Sequence, residues 1–201
     1  TTLATLSALT SAALISQSAS AADRIVIEAK HSARYLSVNA VTVNYPLIQR
    51  SLNIDDSRQL LDLTHLGNKV VTLKAANSNL CVTVAGTATQ TWSAVLLKTC
   101  ADSAAQKFVM NRQTDGSYEL RTFGNAAGLC LEVAGGATTS SAKVIQQTCK
   151  ATSYQRFLSQ NTDGSPYTLV VSTPAPTPVP NPTPVPTPTP TPTPVPSTNV
   201  V

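Results

Sequence analysis

Leu80-Cys81-Val82-Thr83-Val84-Ala85-Gly86 and Leu129-Cys130-Leu131-Glu132-Val133-Ala134-Gly135 state one motif twice, 49 residues apart. Working outward, the same offset carries Thr99-Cys100 onto Thr148-Cys149 and Gln106-x-Phe108 onto Gln155-x-Phe157. It also carries Tyr118 and Leu120 onto Tyr167 and Leu169, and Thr114-Asp115-Gly116-Ser117 returns as Thr162-Asp163-Gly164-Ser165, one residue off. So many coincidences at one period mark a duplicated supersecondary unit. A fainter third copy lies upstream: Tyr35-Leu36-Ser37-Val38 stands for Cys81–Val84, Leu47-Ile48-Gln49-Arg50 for Val95–Lys98, and Gln59-Leu60-Leu61 for Gln106-Lys107-Phe108. There the two cysteine positions hold Tyr35 and, roughly, Leu52.

Within each copy the apolar segments are short, rich in β-branched residues and punctuated by Asn, Asp, Gly and Ser, as at Asn77-Ser78-Asn79, Asp115-Gly116 and Asp163-Gly164. Such runs read as strands between turns. Ser57–Leu66 comes nearest to a helical period, and no window keeps one convincingly. The expectation is an all-β domain over residues 23–171 with about four strands per copy, able to close as a threefold barrel with few open edges. Strand candidates number thirteen, one more than three fours; the surplus is either Ile25–Ala29 or Tyr167–Val171.

Charge is confined to this middle. The chain has 201 residues, 14 basic and 10 acidic, and all of the charges fall between Asp23 and Asp163. Residues 1–22 are uncharged and end in Ala19-Ser20-Ala21, a small-x-small pattern behind an apolar Leu3–Ile15 core. They are expected to be part of a secretory signal peptide, which makes the protein secreted; Ser16, Gln17 and Ser18 leave the segment too polar and short for membrane insertion. From Pro174 to Pro196 every second residue is proline, mostly alternating with threonine. Proline fixes φ and removes the amide donor, so 172–201 is expected to be a disordered, polyproline-like linker of about 70 Å leading to a downstream domain, or a free tail. With no Lys/Arg run in a chain of net charge +4, nucleic acid is not an expected partner.

The unit Leu-Cys-x-x-Val-x-Gly, a second cysteine 19 residues after the first, and Gln-x-aromatic resembles the ricin B-type β-trefoil lectin repeat. The resemblance covers 24–171, specific in the second and third copies and weak in the first. It implies a β-trefoil of three repeats and a carbohydrate-binding function, with galactose- or xylan-type glycans as partners, no cofactor and no catalysis by this chain. Equivalent positions in equivalent units should behave alike, so the repeat selects bridges Cys81–Cys100 and Cys130–Cys149 in an exported chain. A four-cysteine metal site would want a Cys-x-x-Cys pair, which is absent. Leu61, Phe108 and Phe157 are expected to form one apolar layer.

In the resembled family an Asp two residues after the first Cys takes sugar hydroxyls, an aromatic two before the second Cys stacks on the ring, and an Asn before the Gln of Gln-x-Trp assists. The third copy places Glu132, Gln147 and Tyr154 there, the second Thr83, Lys98 and Ala105, the first Ser37, Arg50 and Arg58. Glu132 alone keeps the acid, so the third copy is the expected sugar site. Trp92 and Tyr45 are candidate displaced platforms, because sugars present apolar C–H faces to aromatic rings. His31 and His65 stand beside no nucleophile motif, and no G-x-S-x-G, H-E-x-x-H or phosphate-binding glycine run occurs. The rival expectation is a trefoil that has lost sugar binding and serves as a protein-interaction or spacer module.

Overall fold

The computed structural model describes residues 22–86, 89–124 and 128–170. The expected signal segment up to residue 21 and the Pro/Thr stretch 172–201 lie outside them. Among the described residues the chain forms twelve strands: β1 (Asp23–Ala29), β2 (Arg34–Val38), β3 (Leu47–Arg50), β4 (Leu61–Gly67), β5 (Val70–Ala75), β6 (Leu80–Val84), β7 (Ser93–Thr99), β8 (Lys107–Arg112), β9 (Tyr118–Thr122), β10 (Leu129–Val133), β11 (Val144–Thr148) and β12 (Phe157–Asn161). Six of them close a ring, β1–β4–β5–β8–β9–β12 and back to β1, every pair antiparallel. The other six form three hairpins, β2–β3, β6–β7 and β10–β11, that cap one end of that barrel.

Ile25–Ala29 is the strand that closes the barrel. β1 pairs with β12 over Ile25–Ala29 and completes the ring, so the segment from Tyr167 finds no free edge. Its amides are satisfied otherwise: Tyr167 donates to the Ser159 carbonyl and Leu169 to the Tyr118 hydroxyl. The Tyr167 hydroxyl donates to Asp23, and His65 Nε2 lies 2.6 Å from that hydroxyl, so β1, β4 and the segment after β12 meet in one polar cluster. Burial, with Asp23 adding to it, raises the Tyr167 phenol well above its ordinary pKa. Ser57–Leu66 is no helix. A 3-10 turn, Ser57–Gln59, capped by Asp56, gives way at Leu60 to β4.

The interior repeats the threefold pattern. Leu61, Phe108 and Phe157 are all buried, as are Ile27, Leu73 and Leu120 above them and Val38, Val84 and Val133 in the hairpins. One exchange breaks the symmetry: Ser159 stands where β4 has Leu63 and β8 has Met110, and its buried hydroxyl has no hydrogen-bond partner among the described residues. Two disulfides join Cys81 to Cys100 and Cys130 to Cys149. Copy one has no bridge; Tyr35 turns its hydroxyl to Glu28, and Leu52 is exposed.

Candidate functional site

The hairpin registers make the candidate positions equivalent. Arg50 lies opposite Tyr35, Lys98 opposite Cys81 and Gln147 opposite Cys130. Arg58, Ala105 and Tyr154 each sit at the middle of a 3-10 turn that ends in the Gln of Gln-x-aromatic. That glutamine is a structural clamp. The side-chain oxygens of Gln59, Gln106 and Gln155 accept from the amides of Asn53, Ala101 and Lys150, each at 2.7 Å. Their amide nitrogens donate to the carbonyls of Ser51, Thr99 and Thr148. The backbone groups of each loop after a hairpin, which water would otherwise have to satisfy, are thereby paired.

In two copies the clamp also reaches the acid position. Gln106 Nε2 donates to Thr83 Oγ1 at 3.1 Å, and Gln155 Nε2 donates to Glu132 Oε2 at 2.7 Å. Strand alternation puts Glu132 on the outward face with Cys130, yet Glu132 is only 4 % exposed because the turn Ser153–Gln155 covers β10. Its Oε1 has no hydrogen-bond partner among the described residues. Gln147, diagonal to it on the same face, is buried and accepts the Thr148 amide. Tyr154 is half-buried, meets the His31 ring edge-on at 6.3 Å and lies over Gly136. His31 Nε2 in turn donates to the Ala137 carbonyl at 3.0 Å. The structure therefore brings Glu132 and Gln147 together on one sheltered face, while Tyr154, in the turn that covers β10, is seated on Gly136 and His31.

Gly136 has φ +66, and a Cβ there would stand 2.9 Å from Tyr154 Cδ1. Gly135 has φ +61 and open space around it. Both alanine variants should lose about 1–2 kcal/mol to left-handed backbone. Gly136→Ala should lose more in urea denaturation, because Tyr154 must also move; equal losses would show that the tyrosine is not seated on the glycine.

Trp92 is elsewhere, at the tip of the β6–β7 hairpin. Its amide donates to the Gln146 carbonyl of β11 at 2.7 Å. Asn44 donates in the same way to Leu97 and Ser141 to Gln49, so each hairpin tip is latched onto the next copy. All three latch residues take positive φ, +66, +62 and +69 for Asn44, Trp92 and Ser141. Asparagine visits this region readily, whereas a bulky side chain there is an outlier that calls for a reason. Trp92 is 66 % exposed and its indole N–H has no partner among the described residues. Sequence reading found the tryptophan but had no signal for its backbone, since the three latch side chains share no chemistry. Tyr45, the other candidate platform, is exposed, and its carbonyl accepts from Leu97.

Close to this tip, copy two holds a cavity of about 210 Å³ between the hairpin and the turn Ala104–Gln106. Val84, Gly86, Ala105, Phe123 and Gln146 line it. Ala105 stands where copy three has Tyr154, and the smaller side chain leaves the space open. The lining is mostly apolar, and Phe123 is partly exposed. As for metals, the Glu119 carboxylate lies within 4.8 Å of the Cys130 and Cys149 sulfurs, but both are bonded to each other and offer no thiolate.

No curated protein matches the sequence. Among solved structures the chain is similar to the designed threefold-symmetric protein ThreeFoil, 24 % identical with TM-score 0.63 over 67 % of this chain and 95 % of that one. It is similar to the Macrolepiota procera ricin B-like lectin, solved with lactose, at 14 % identity and TM-score 0.60 over 72 % of this chain and 99 % of that one. The Polyporus squamosus lectin, bound to Neu5Aca2-6Galb1-4GlcNAc, gives 18 % and 0.58 over 72 % of this chain and half of that one. At these identities the likeness speaks for the fold. The sequence profile of ricin-type beta-trefoil lectin domain-like proteins matches residues 57–146 and 104–175, more than half of the chain. With twelve strands in a threefold barrel, a clamp glutamine in each copy and that match, the chain belongs to the ricin-type beta-trefoil lectin domain-like family.

Proposed function

We propose that the protein is a secreted, non-catalytic carbohydrate-binding module that holds a neutral galactose- or xylan-type sugar against Trp92, with the copy-two cavity beside it. Carbohydrate binding at the general level follows from the family. The observation that carries the finer reading is the conformation of Trp92: the single tryptophan of the chain stands exposed in a left-handed position where the other copies use Asn and Ser. Strain of this kind persists at binding sites, where selection for the ring outweighs the backbone cost. An exposed indole with a free N–H offers a face for sugar C–H groups and a donor for a hydroxyl. Glu132, Gln147 and Tyr154 form a secondary subsite in copy three that opens when Tyr154 moves off Gly136. The two disulfides fit an exported protein, and the Pro/Thr stretch 172–201 serves as a tether to a further domain, raising its local concentration at a glycan surface.

Affinity electrophoresis through galactan and xylan gels tests this. Trp92→Asn should weaken retention roughly tenfold while raising stability by about 1 kcal/mol, since asparagine tolerates the left-handed backbone. Unchanged retention, or no retention of the parent protein by any neutral glycan, would overturn it. The buried state of Glu132 favours a second reading, a trefoil that binds protein rather than sugar; a blank glycan array with a captured protein ligand lost on Phe123→Ala selects it.

A further inference from the structure

Copy one carries the opposite chemistry from copy three at the same three positions. Where copy three has a carboxylate, copy one has Ser37, buried, its hydroxyl donating to the Val38 carbonyl. Where copy three has Gln147 and Tyr154, copy one has Arg50 and Arg58. The two guanidinium groups converge on one residue: Arg50 Nη2 donates to Asn39 Oδ1 at 2.6 Å and Arg58 Nη1 to the Asn39 carbonyl at 3.4 Å. Asn39 itself stands exposed where β2 ends.

The charges do not cancel. Asp56 takes Arg58 through both carboxylate oxygens, and Arg58, with the charge of Arg50 adding to it, holds the Asp56 carboxyl below its ordinary pKa. Arg50 makes no salt bridge among the described residues, and its Nε is buried without a hydrogen-bond partner. Arg34, one strand position from Tyr35, donates to Ser51, Ser140 and the Thr138 carbonyl and meets no carboxylate either. Asp55, in the same loop as Asp56, is the other acid close by in sequence, and it is exposed. An unsatisfied buried N–H costs about 1–3 kcal/mol, and a guanidinium fork matches the two oxygens of an oxyanion.

We infer that copy one is an acidic-sugar subsite, in which Arg50 and Arg58 receive the carboxylate of a uronic acid residue while Asn39 takes a neighbouring hydroxyl. The inference extends the carbohydrate reading to a different copy and a different sugar class. It uses neither Trp92 nor the copy-two cavity, so the two readings fail separately.

Isothermal titration with trigalacturonate, with neutral galactan as the comparison ligand and a sulfated galactan to separate carboxylate from sulfate, tests it. Arg50→Gln/Arg58→Gln should lose roughly tenfold in trigalacturonate affinity with neutral galactan unaffected. Lys69→Gln/Arg112→Gln removes the same charge at the barrel end away from the hairpins and should lose less than about twofold, the residue of screened long-range attraction. Arg50→Lys keeps the charge and should still weaken binding, because the fork is gone. Trp92→Asn should bind trigalacturonate like the parent. Equal losses in the two double variants, no loss in the first, an unaffected Arg50→Lys, preference for the sulfated galactan, or no binding by the parent would each overturn the assignment. Thermal melts of every variant separate a lost site from a lost fold.

Discussion

Glu119→Ala should lower the unfolding free energy by about 3–5 kcal/mol, a large part of the roughly 5–15 kcal/mol that holds a domain of this size. Glu119 is 3 % exposed on β9, and its two oxygens accept from Arg121 Nε and Arg156 Nη1. The Arg156 side chain is itself only 12 % exposed. Alanine would leave that guanidinium in the interior without an acceptor, and the uncompensated charge is what makes the loss large. Most of the cost belongs to Arg156, because Arg121 is exposed enough for water to replace its partner. Urea denaturation measures it; a loss below about 1 kcal/mol would place the pair among surface ion pairs of small effect.

The same carboxyl gives a pH test. Burial pushes Glu119 up, but the hydrogen bonds and charges of Arg156 and Arg121 outweigh it, and the folded-state pKa lies below the ordinary 4.5. The unfolded chain therefore binds a proton first on acidification, so stability rises with pH across this window. The contribution is complete above the ordinary pKa and is lost as pH falls through the folded value. Asp115 beside Lys30, Asp56 beside Arg58 and Asp163 beside Ser165 are lowered as well and act with the same sign. Glu119→Gln keeps the shape and should flatten, without abolishing, the acid limb of a plot of Tm against pH.

Cys130→Ala/Cys149→Ala should cost about 3 kcal/mol, the value expected for freeing a loop of this length in the unfolded chain. Cys81→Ala/Cys100→Ala should cost about the same, because both bridges span 19 residues. The sites are in separate copies, so the losses should add. A protein lacking both bridges would then be marginal at room temperature, as reducing agent added to the parent should also show. Denaturation with and without reductant checks this; a loss under about 1 kcal/mol for either pair would mean that the reduced chain keeps the loop closed by other contacts.

How much of this could be read beforehand follows from what repeats. The period of 49 residues carried the cysteines, the Gln-x-Phe turns and most strand bounds, because duplicated sequence folds alike. The first strand was ambiguous, since Ile25–Ala29 and Tyr167–Val171 are equally β-prone in isolation; ring closure through β12 decides between them, and closure is a tertiary fact. Glu132 reads as an outward strand residue by alternation, and it is covered by a turn 21 residues further on whose approach no local pattern encodes. The exchange of Gln147 and Tyr154 for Arg50 and Arg58 was visible as letters. Its meaning depended on Asn39, which meets both arginines from 11 and 19 residues away.

The amide latches at Asn44, Trp92 and Ser141 run one way round the cap, from the first hairpin to the second, the second to the third and the third back to the first. Such a circuit has neither leader nor follower, and no cassette keeps its own tip in place. Damage to one tip is therefore felt by its downstream neighbour: disturb residue 92 and β11 loosens, disturb 141 and β3 does. Three quite different surfaces, one sheltering a carboxylate beneath a turn, one apolar and one basic, could diverge on this ring because the fastening that unites them is made of backbone and leaves the side chains free to vary.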